Sequence, residues 1–325
     1  MIVITQFNWK DKNVLITGGT GFLGSHIIEQ LIEFGSKVFV VYRSKNPLSY
    51  FFKKKIEKSV NMIYCDVKNR ERIFDIISKY DPEVIFHLAA QTIVPTAYLN
   101  PFETLNTNII GTINILEGVR LFGNIDAIAV ASTDKAYGIS DKLPFLETDK
   151  LEGRFPYDVS KTCTDLISRM FFFTYNLPIV VTRLANIFGP GDLHFSRIIP
   201  GTMAAIIKNE SLNIRSDGSP IREYIYIKDV VNGYISLVEN IKKTKGEAFN
   251  LTSDVKLSVL EVVDKISSIL KKKVQLNVLN NMKAEIPKQW LSYEKINKII
   301  GWKPIYSFDE GILETYEWYK DYYFK

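Results

Sequence analysis

The stretch Val14-Leu15-Ile16-Thr17-Gly18-Gly19-Thr20-Gly21-Phe22-Leu23-Gly24 decides the fold of this chain. Its first four residues predict a short buried strand, and the helical spacing of apolar residues from 22 to 34 predicts a helix directly after it. Glycine recurs at every third position of the turn between them. In this context the turn predicts a dinucleotide site, because glycines let the backbone approach a pyrophosphate and the helix N-terminus offers unpaired N–H groups. The alternative is a tight turn without a ligand.

The same alternation of strand and helix continues through the first half of the chain. Short apolar runs predict five further strands, at 38–42, 62–65, 84–88, 127–131 and 179–184, with helical patterns between them. Apolar strands that alternate with helices are typical of a parallel sheet covered on both faces. We therefore predict an α/β protein built on a Rossmann-like, doubly wound parallel sheet.

The alternation ends near Ala185 and predicts a second, interleaved domain. Residues 186–220 are rich in Gly and Pro, residues 223–238 look like a return to the first domain, and the tail carries further helical patterns. We predict a dinucleotide-binding domain of residues 1–185 with about 221–246. A smaller substrate-binding domain, of residues 186–220 and 247–325, is expected to cap the carboxyl edge of the sheet, where such sheets bind ligands.

Composition argues against several classes of function. The excess of 41 Lys and Arg over 36 Asp and Glu forms no concentrated basic stripe, which argues against nucleic acid as a partner and is compatible with an anionic small molecule. No apolar run reaches membrane-spanning length, so we expect no membrane partner. Cys65 and Cys163 form no disulfide or zinc pattern and the histidines are isolated, which predicts a cytoplasmic protein without a metal site.

The end of the second strand bears on the type of dinucleotide. An acidic residue usually stands there when the ribose 2′-OH is free, but this chain has Arg43 at the expected offset. Arginine accommodates a 2′-phosphate, so NADP is favoured, with NAD as the alternative. Arg43 could instead be an exposed cation at a strand end. Asp66, after the third strand, is expected to meet the adenine amino group, unless it is an ordinary turn aspartate.

A second group of residues predicts the chemistry. Tyr157 and Lys161 lie one helical turn apart, and Thr133 follows the fifth strand, close to that helix in such a sheet. The pKa of a free tyrosine is about 10. A neighbouring ammonium and a positive nicotinamide lower the pKa of Tyr157, so that its phenolate can take a proton from a substrate hydroxyl. Asp134 and Lys135 add an acid and a base, which indicates that oxidation is not the whole reaction.

The motifs together resemble one family along nearly the whole chain. The chain is similar to the extended short-chain dehydrogenases/reductases that act on nucleotide sugars, through the glycine turn and the segments His87-Leu-Ala-Ala-Gln91, Asn108-Ile-Ile-Gly-Thr112, Arg183-Leu-Ala-Asn186, Arg222-Glu-Tyr-Ile-Tyr-Ile-Lys-Asp229 and Gly301-Trp-Lys-Pro304. Within that family, Ser132-Thr-Asp-Lys-Ala-Tyr-Gly138 is most similar to the 4,6-dehydratases. The Asp-Lys pair, Ala-Ala-Gln91 and Arg197-Ile-Ile-Pro200 most resemble the CDP-glucose 4,6-dehydratase subfamily, whereas Arg43 is similar to the GDP-mannose 4,6-dehydratases.

The resemblance implies a reaction in three steps. Tyr157 deprotonates the sugar O4 while the C4 hydride moves to the cofactor. Lys135 then removes the C5 proton, which the 4-ketone has acidified, and Asp134 donates a proton to the leaving O6. Finally the hydride returns to C6. The implied product is an NDP-4-keto-6-deoxyhexose, and the cofactor is tightly bound and recycled.

The resemblance also completes the set of expected site residues. The catalytic residues are Thr133, Asp134, Lys135, Tyr157 and Lys161. The cofactor residues are Gly18, Thr20, Gly21, Phe22, Leu23, Gly24, Arg43, Asp66, Val67, Leu88, Ala89, Ala90, Gln91, Tyr157 and Lys161. The substrate residues are Gln91, Asn186, Arg197, Arg215 and Arg222; Asn186 and Arg222 are expected at the diphosphate, and Arg197 or Arg215 could instead form ordinary ion pairs.

Two further expectations concern assembly and alternatives. The helices predicted at about 102–121 and 157–175 carry more apolar residues than one buried face needs, which together with the resemblance predicts a homodimer. The first alternative function is a nucleotide-sugar 4-epimerase or 4-reductase, in which Asp134 and Lys135 are incidental. The second is a non-enzymatic protein that binds a dinucleotide or RNA, against which Tyr157 and Lys161 both argue.

Overall fold

The structure, a computed structural model, describes residues 7–280 and 286–324. Its strands are β1 Asn13–Thr17, β2 Lys37–Tyr42, β3 Asn61–Tyr64, β4 Val84–His87, β5 Ala127–Ala131, β6 Ile179–Leu184, β7 Asn186–Phe188, β8 Leu212–Ile214, β9 Ile221–Tyr226, β10 Ala248–Leu251, β11 Lys256–Ser258, β12 Leu276–Val278 and β13 Lys288–Gln289. Its α-helices are α1 Phe22–Glu33, α2 Tyr50–Lys53, α3 Arg70–Tyr80, α4 Val94–Leu99, α5 Pro101–Leu105, α6 Gly111–Phe122, α7 Pro156–Tyr175, α8 Ile198–Lys208, α9 Ile227–Glu239, α10 Ile241–Thr244, α11 Val259–Leu270, α12 Glu294–Ile300 and α13 Phe308–Phe324.

Seven parallel strands form the main sheet, in the order β10-β6-β5-β4-β1-β2-β3. Successive residues of β1 face opposite sides of it: Val14 and Ile16 pack into the core under α1 and α9, and Leu15 packs into the core under α3 and α6. Apolar side chains are therefore required on both faces of each strand. The predicted α/β fold with a doubly wound parallel sheet is confirmed.

The order of the strands reverses between β1 and β4. The chain winds outward from β1 through β2 to β3, then crosses back to β4 and continues outward through β5 and β6. Loops on the two sides of this point diverge, which leaves a crevice at the carboxyl edge of the sheet.

The helical region after β4 differs from the single predicted helix of about 102–121. Two short helices, α4 and α5, begin at proline-containing turns, and the side chain of Asn100 accepts a hydrogen bond from the Glu103 N–H at the start of α5. A π-helical segment, Asn106–Ile110, joins α5 to α6. Hydrophobic spacing does not distinguish a π-helical insertion from a regular helix, so this break was not predicted.

Two strands cross the predicted domain boundaries. The seventh strand of the main sheet, β10, lies beyond residue 246, beside β6. In the other direction, β9 pairs with β7, β11 and β13 in a smaller sheet and not with the main one. The segment that returns to the main sheet is thus about 227–251 and not 221–246. The run Ala248–Leu251 lies beyond the point where the alternation of strands and helices ends, and only its buried position beside β6 identifies it as a strand of the main sheet.

Candidate active site

A cavity of about 1310 Å³ lies at the carboxyl edge of the main sheet. Its lining includes the glycine turn, the ends of β4 and β5 and the start of α7, together called the first wall here, and the segment from β7 to β9, called the second wall. Tyr322 and Tyr323 of α13 also line it. The predicted catalytic and cofactor-binding segments therefore open into one space.

The glycine turn is built for close approach of a ligand backbone. Gly18 has a φ of +72°, and a Cβ there would lie 2.8 Å from the Ala89 nitrogen. A Cβ on Gly24 would lie 2.6 Å from the Gly18 carbonyl oxygen. Gly21 precedes α1 without a side-chain cap, so the first N–H groups of that helix face the cavity without a side-chain acceptor. This arrangement fits a dinucleotide pyrophosphate.

Charged side chains gather where the adenosine end of a dinucleotide is expected. Arg43 and Asp66 both line the cavity, with the Arg43 guanidinium 3.6 Å from Asp66 Oδ2 and 3.2 Å from Glu103 Oε1. Lys68 lies 2.8 Å from the same Glu103 oxygen. Arg43 is half exposed, so it can reach a ligand, but a 2′-phosphate there would compete with Glu103.

Most of the predicted cofactor residues line the cavity together. They are Gly18, Thr20, Gly21, Phe22, Leu23, Gly24, Arg43, Asp66, Val67, Leu88, Ala89, Ala90, Tyr157 and Lys161. Gln91 is not brought to the cavity wall. Its side-chain amide donates instead to Thr104 Oγ1 at 2.9 Å and to the Ile93 carbonyl oxygen at 3.2 Å, because the turn into α4 needs partners for those groups.

The predicted catalytic residues also meet in the cavity. Thr133, Asp134 and Lys135 lie on or next to a 3-10 turn, Asp134–Tyr137, that follows β5, and the Thr133 hydroxyl donates to Asp134 Oδ1 at 3.0 Å. Tyr157 and Lys161 face the same space from the first turns of α7. Asp134 is buried and Lys135 is half-buried, so neither is a freely solvated surface charge.

The oxidation pair is more deeply buried than the sequence indicated. Burial raises the pKa of Tyr157 to about 12, against the opposing effect of the Thr133 hydroxyl. Burial also lowers the pKa of Lys161 to about 8, and its ammonium donates to the Ala131 carbonyl oxygen at 2.8 Å. The expected lowering of the Tyr157 pKa therefore does not come from the protein alone and requires a further positive charge beside the ring.

The π-helical segment supports α7 at the site. Asn108, within that segment, donates from Nδ2 to Ser160 Oγ at 2.8 Å, and its carbonyl oxygen accepts from the Thr164 hydroxyl at 3.0 Å. Its Oδ1 accepts from the Gln91 N–H at 2.7 Å. π-helical insertions are frequent at functional sites. Here the insertion ties the loop after β4 to the helix that carries Tyr157 and Lys161.

The four remaining predicted substrate residues all line the cavity, in the segment from β7 to β9 that forms the second wall. They are Asn186, Arg197, Arg215 and Arg222. Arg197 also pairs with the buried Asp192 at 2.9 Å, so the ion-pair alternative considered for it is a real contact. Arg215 donates to the Ser196 carbonyl oxygen at 3.2 Å. These cations give the second wall the charge that a diphosphate requires.

Sequence reasoning missed two contributions from the C-terminal part. Tyr322 and Tyr323 carry no motif, although the aromatic density at the end of the chain was visible. Gln289, on the two-residue strand β13, donates to the Asp134 carbonyl oxygen at 2.9 Å across 155 positions of sequence. A single glutamine in an irregular segment gives no pattern from which such a contact could be predicted.

The residues that the structure describes contain neither a metal-binding cluster nor a membrane-spanning helix. Among residues 7–280 and 286–324, no three His, Cys, Asp or Glu side chains come close enough together to hold a metal ion. Within the same ranges, no helix combines the length and the apolar character needed to cross a bilayer.

The fold and the site define a dinucleotide-binding enzyme of the extended short-chain dehydrogenase/reductase class. The glycine turn, the Thr133, Tyr157 and Lys161 set and the cationic second wall open into one cavity at the switch point of the sheet. More narrowly, the chain belongs to the GDP-mannose 4,6 dehydratase family, whose family model matches residues 15–315.

Similar proteins include both dehydratases and epimerases. The chain is 28% identical to CDP-glucose 4,6-dehydratase of Salmonella typhimurium, over 96% of this chain and 91% of that protein. It is 29% identical to UDP-glucuronate 4-epimerase of Thermodesulfobacterium geofontis, over 94% of this chain and 96% of that protein. Among solved structures, dTDP-glucose 4,6-dehydratase of Bacillus anthracis in complex with NAD superposes with a TM-score of 0.83 at 26% identity, covering 95% of this chain and 97% of that one.

Proposed function

We propose that the protein is a nucleotide-sugar 4,6-dehydratase that converts a CDP-glucose-like NDP-hexose to an NDP-4-keto-6-deoxyhexose. The observation that carries the proposal is the placement of Asp134 and Lys135. Both line the cavity within two residues of Thr133, so an acid and a base stand beside the oxidation pair. Oxidation alone needs only Thr133, Tyr157 and Lys161. The extra acid and base supply what an elimination of water requires.

The residues divide the proton transfers among them. Tyr157 takes the proton from O4, with the Thr133 hydroxyl holding that oxygen. Lys135 removes the proton from C5 and Asp134 protonates O6, so that the C6–O6 bond breaks, a C5–C6 double bond forms and O6 leaves as water. Burial of Asp134 keeps bulk water away from the acid. C5 is reprotonated after hydride has been added to C6.

A nicotinamide dinucleotide fits the first wall of the cavity. When bound in its oxidised form, it supplies the hydride acceptor for C4 and the positive charge that the buried Tyr157 needs. We infer NADP from Arg43, which lines the cavity and is half exposed. NAD is the alternative, and the solved dehydratase of Bacillus anthracis holds NAD.

The second wall is proposed to bind the nucleotide diphosphate. Asn186 lies on β7 and Arg222 on the adjacent strand β9, and both face the cavity. Arg197 and Arg215 add positive charge along the same wall. Planar guanidinium groups suit phosphate oxygens, and a diphosphate bound there would leave the sugar in the same cavity as Thr133 and Tyr157.

A 4-epimerase is the second candidate, favoured by the 29% identity to UDP-glucuronate 4-epimerase. Epimerisation also begins with oxidation at C4, but hydride then returns to C4 on the opposite face and no water is lost. In that case Lys135 and Asp134 have no proton to transfer. The mass of the product therefore separates the two functions.

One experiment tests the proposal directly. The protein, supplied with NAD or NADP, is incubated with one nucleotide sugar at a time: a CDP-, GDP-, dTDP- or UDP-hexose. Each reaction is run in H₂O and in D₂O, and the products are analysed by mass spectrometry. A dehydratase gives a product lighter by one water, with deuterium at C5. A product of unchanged mass and inverted C4 would establish the epimerase instead.

We further propose a homodimer, formed through the surface of α4, α5 and α7. Large apolar side chains are exposed there, including Leu99 at 88%, Phe102 at 76% and Phe173 at 68%. Leu166 and Met170, on the same helix as Phe173, extend this surface. Apolar area of this extent is costly in water, and a second copy of the chain with the same surface would cover it.

A further inference from the structure

The 3-10 turn with the proposed acid and base is held at both ends by buried side chains. At its end, the Tyr137 hydroxyl accepts a hydrogen bond from Arg183 at 2.8 Å and donates to Asn250 Oδ1 at 2.8 Å. At its start, the Asp134 carbonyl oxygen accepts the hydrogen bond from Gln289 Nε2. Arg183 and Asn250 belong to the main sheet, whereas Gln289 comes from the C-terminal part.

Gln289 is fully buried, and its orientation is determined by its partner. Rotating the amide by 180° would place Oε1 against the Asp134 carbonyl oxygen, so the nitrogen must face Asp134. The oxygen, Oε1, has no hydrogen-bond partner among the residues that the structure describes. Burying an amide oxygen without a partner costs free energy of folding. We therefore interpret the position of Gln289 by the one hydrogen bond that its side chain makes, to Asp134.

Gln289 is also joined to the proposed diphosphate wall. It lies on β13, directly opposite Arg222 on β9 in a parallel pair. Side chains at paired positions of a parallel ladder lie on the same face, so Gln289 and Arg222 project together. The residue proposed to bind the diphosphate and the residue that holds the acid turn are thus neighbours on two adjacent strands.

We propose that Gln289 is a positioning residue for the elimination, holding the Asp134 carboxyl group where it meets the leaving oxygen. The inference rests on the proposed dehydration. Gln289 forms no hydrogen bond with Thr133, two residues beyond β5, or with Tyr157 on α7, so we expect the oxidation at C4 to persist without this contact. Loss of the hydrogen bond between Gln289 and Asp134 should therefore slow the elimination of water and leave the rate of oxidation at C4 unchanged.

The test uses three variants of one position and a matched control. Gln289→Leu removes the donor at similar volume, Gln289→Glu keeps an oxygen but loses the amide nitrogen, and Gln289→Asn keeps the amide but shortens its reach. Lys288→Gln, at the exposed neighbouring position of β13, is the control. Circular dichroism and thermal unfolding select variants that fold, so that at least one of the three reports on function.

Two rates are measured on each folded variant in single turnovers: reduction of the cofactor, by absorbance, and release of water with deuterium uptake at C5, by mass spectrometry. We expect cofactor reduction within about 3-fold of wild type. Water loss should fall roughly 100-fold in Gln289→Leu, the scale of a misplacement of about 1 Å, so that reduced cofactor accumulates. Lys288→Gln should leave both rates unchanged.

The outcomes distinguish this inference from the proposed function. A wild-type protein that releases no water from any nucleotide sugar overturns the proposed dehydratase. A wild-type protein that dehydrates its substrate while folded Gln289 variants keep both rates, or lose both equally, overturns the positioning role alone.

Discussion

Arg183 and Asp165 form an ion pair of 2.8 Å in which both side chains are almost completely buried, at 1% and 0% exposure. The same guanidinium donates to the Tyr137 hydroxyl, at the end of the turn that carries Asp134 and Lys135. The pair therefore links α7 and β6 to the catalytic turn. A buried pair of this kind contributes to a defined arrangement more than to net stability, since both charges lose their hydration.

The pair predicts strongly non-additive effects on stability. Arg183→Met should lower the free energy of unfolding by about 3–5 kcal/mol, because it leaves the Asp165 carboxylate buried without a partner. Arg183→Met combined with Asp165→Leu should cost much less than the sum of the two single changes. Denaturant titration measures all three. Simple additivity would show that the two side chains do not depend on each other.

The proposed mechanism predicts different defects for Lys135 and Tyr157. Lys135→Ala should still bind the nucleotide sugar and reduce the cofactor slowly, but form 6-deoxy product and exchange C5 about 10²–10⁴-fold more slowly, the usual contribution of one general acid or base. Tyr157→Phe should abolish cofactor reduction itself. Absorbance and mass spectrometry follow the two steps. Near wild-type turnover by Lys135→Ala would mean that Lys135 only neutralises Asp134.

The position of Arg43 predicts that the protein prefers NADP to NAD. Wild type should bind NADP more tightly than NAD, because the guanidinium can pair with a 2′-phosphate. Arg43→Asp should move the preference toward NAD by roughly 10–100-fold, the worth of one charge-assisted hydrogen bond. Calorimetric titration with both dinucleotides measures this. Lys68→Ala, which removes the neighbouring cation on Glu103, is the control. Equal or tighter binding of NAD by wild type would refute the preference.

Glu223 predicts how stability changes with pH. Burial raises the pKa of Glu223 from 4.5 to about 8, although the Thr252 hydroxyl and the Leu291 N–H act in the opposite direction. The folded protein thus holds a proton that the unfolded chain releases between these values. The free energy of unfolding of wild type should fall as the pH rises through this window, relative to Glu223→Gln.

The size of this effect is open to direct measurement. Above pH 8 the Glu223→Gln protein should be more stable than wild type by about 3–5 kcal/mol, and near pH 4.5 the two should agree closely. Glu71→Gln, at an exposed position of α3, is the control and should follow wild type. Parallel stability curves for wild type and Glu223→Gln would show that Glu223 is ionised in the folded protein.

The exposed surface of α4, α5 and α7 predicts the state of assembly. Light scattering at micromolar concentration should give the mass of a dimer for wild type, and Phe102→Lys with Phe173→Lys should give a monomer, because two charges on each copy would face apolar surface. Tyr64→Lys removes an aromatic ring that is equally exposed, on the edge strand β3, and should remain dimeric. A monomeric wild type would refute the proposal.

Local pattern was sufficient for six of the seven strands of the main sheet. The six strands predicted from apolar runs, 14–17 through 179–184, are all present within one or two residues of their predicted bounds. Four of them, β1, β4, β5 and β6, are almost wholly buried, so in these strands the apolar run itself is the signal. The turn after Thr17 was readable for a related reason: Gly18 and Gly24 stand where a Cβ would collide with the backbone, and few other residues could occupy those positions.

The sequence by itself therefore determined six strands of the main sheet, the glycine turn and the identity of the groups that could do chemistry near Thr133 and Tyr157. These features depend on neighbours in the chain. Only the tertiary structure decided that β10 joins the main sheet, that burial and not Lys161 dominates the pKa of Tyr157, and that Gln289 holds Asp134. Each of these depends on contacts between residues far apart in sequence, and no local spacing carries information about them.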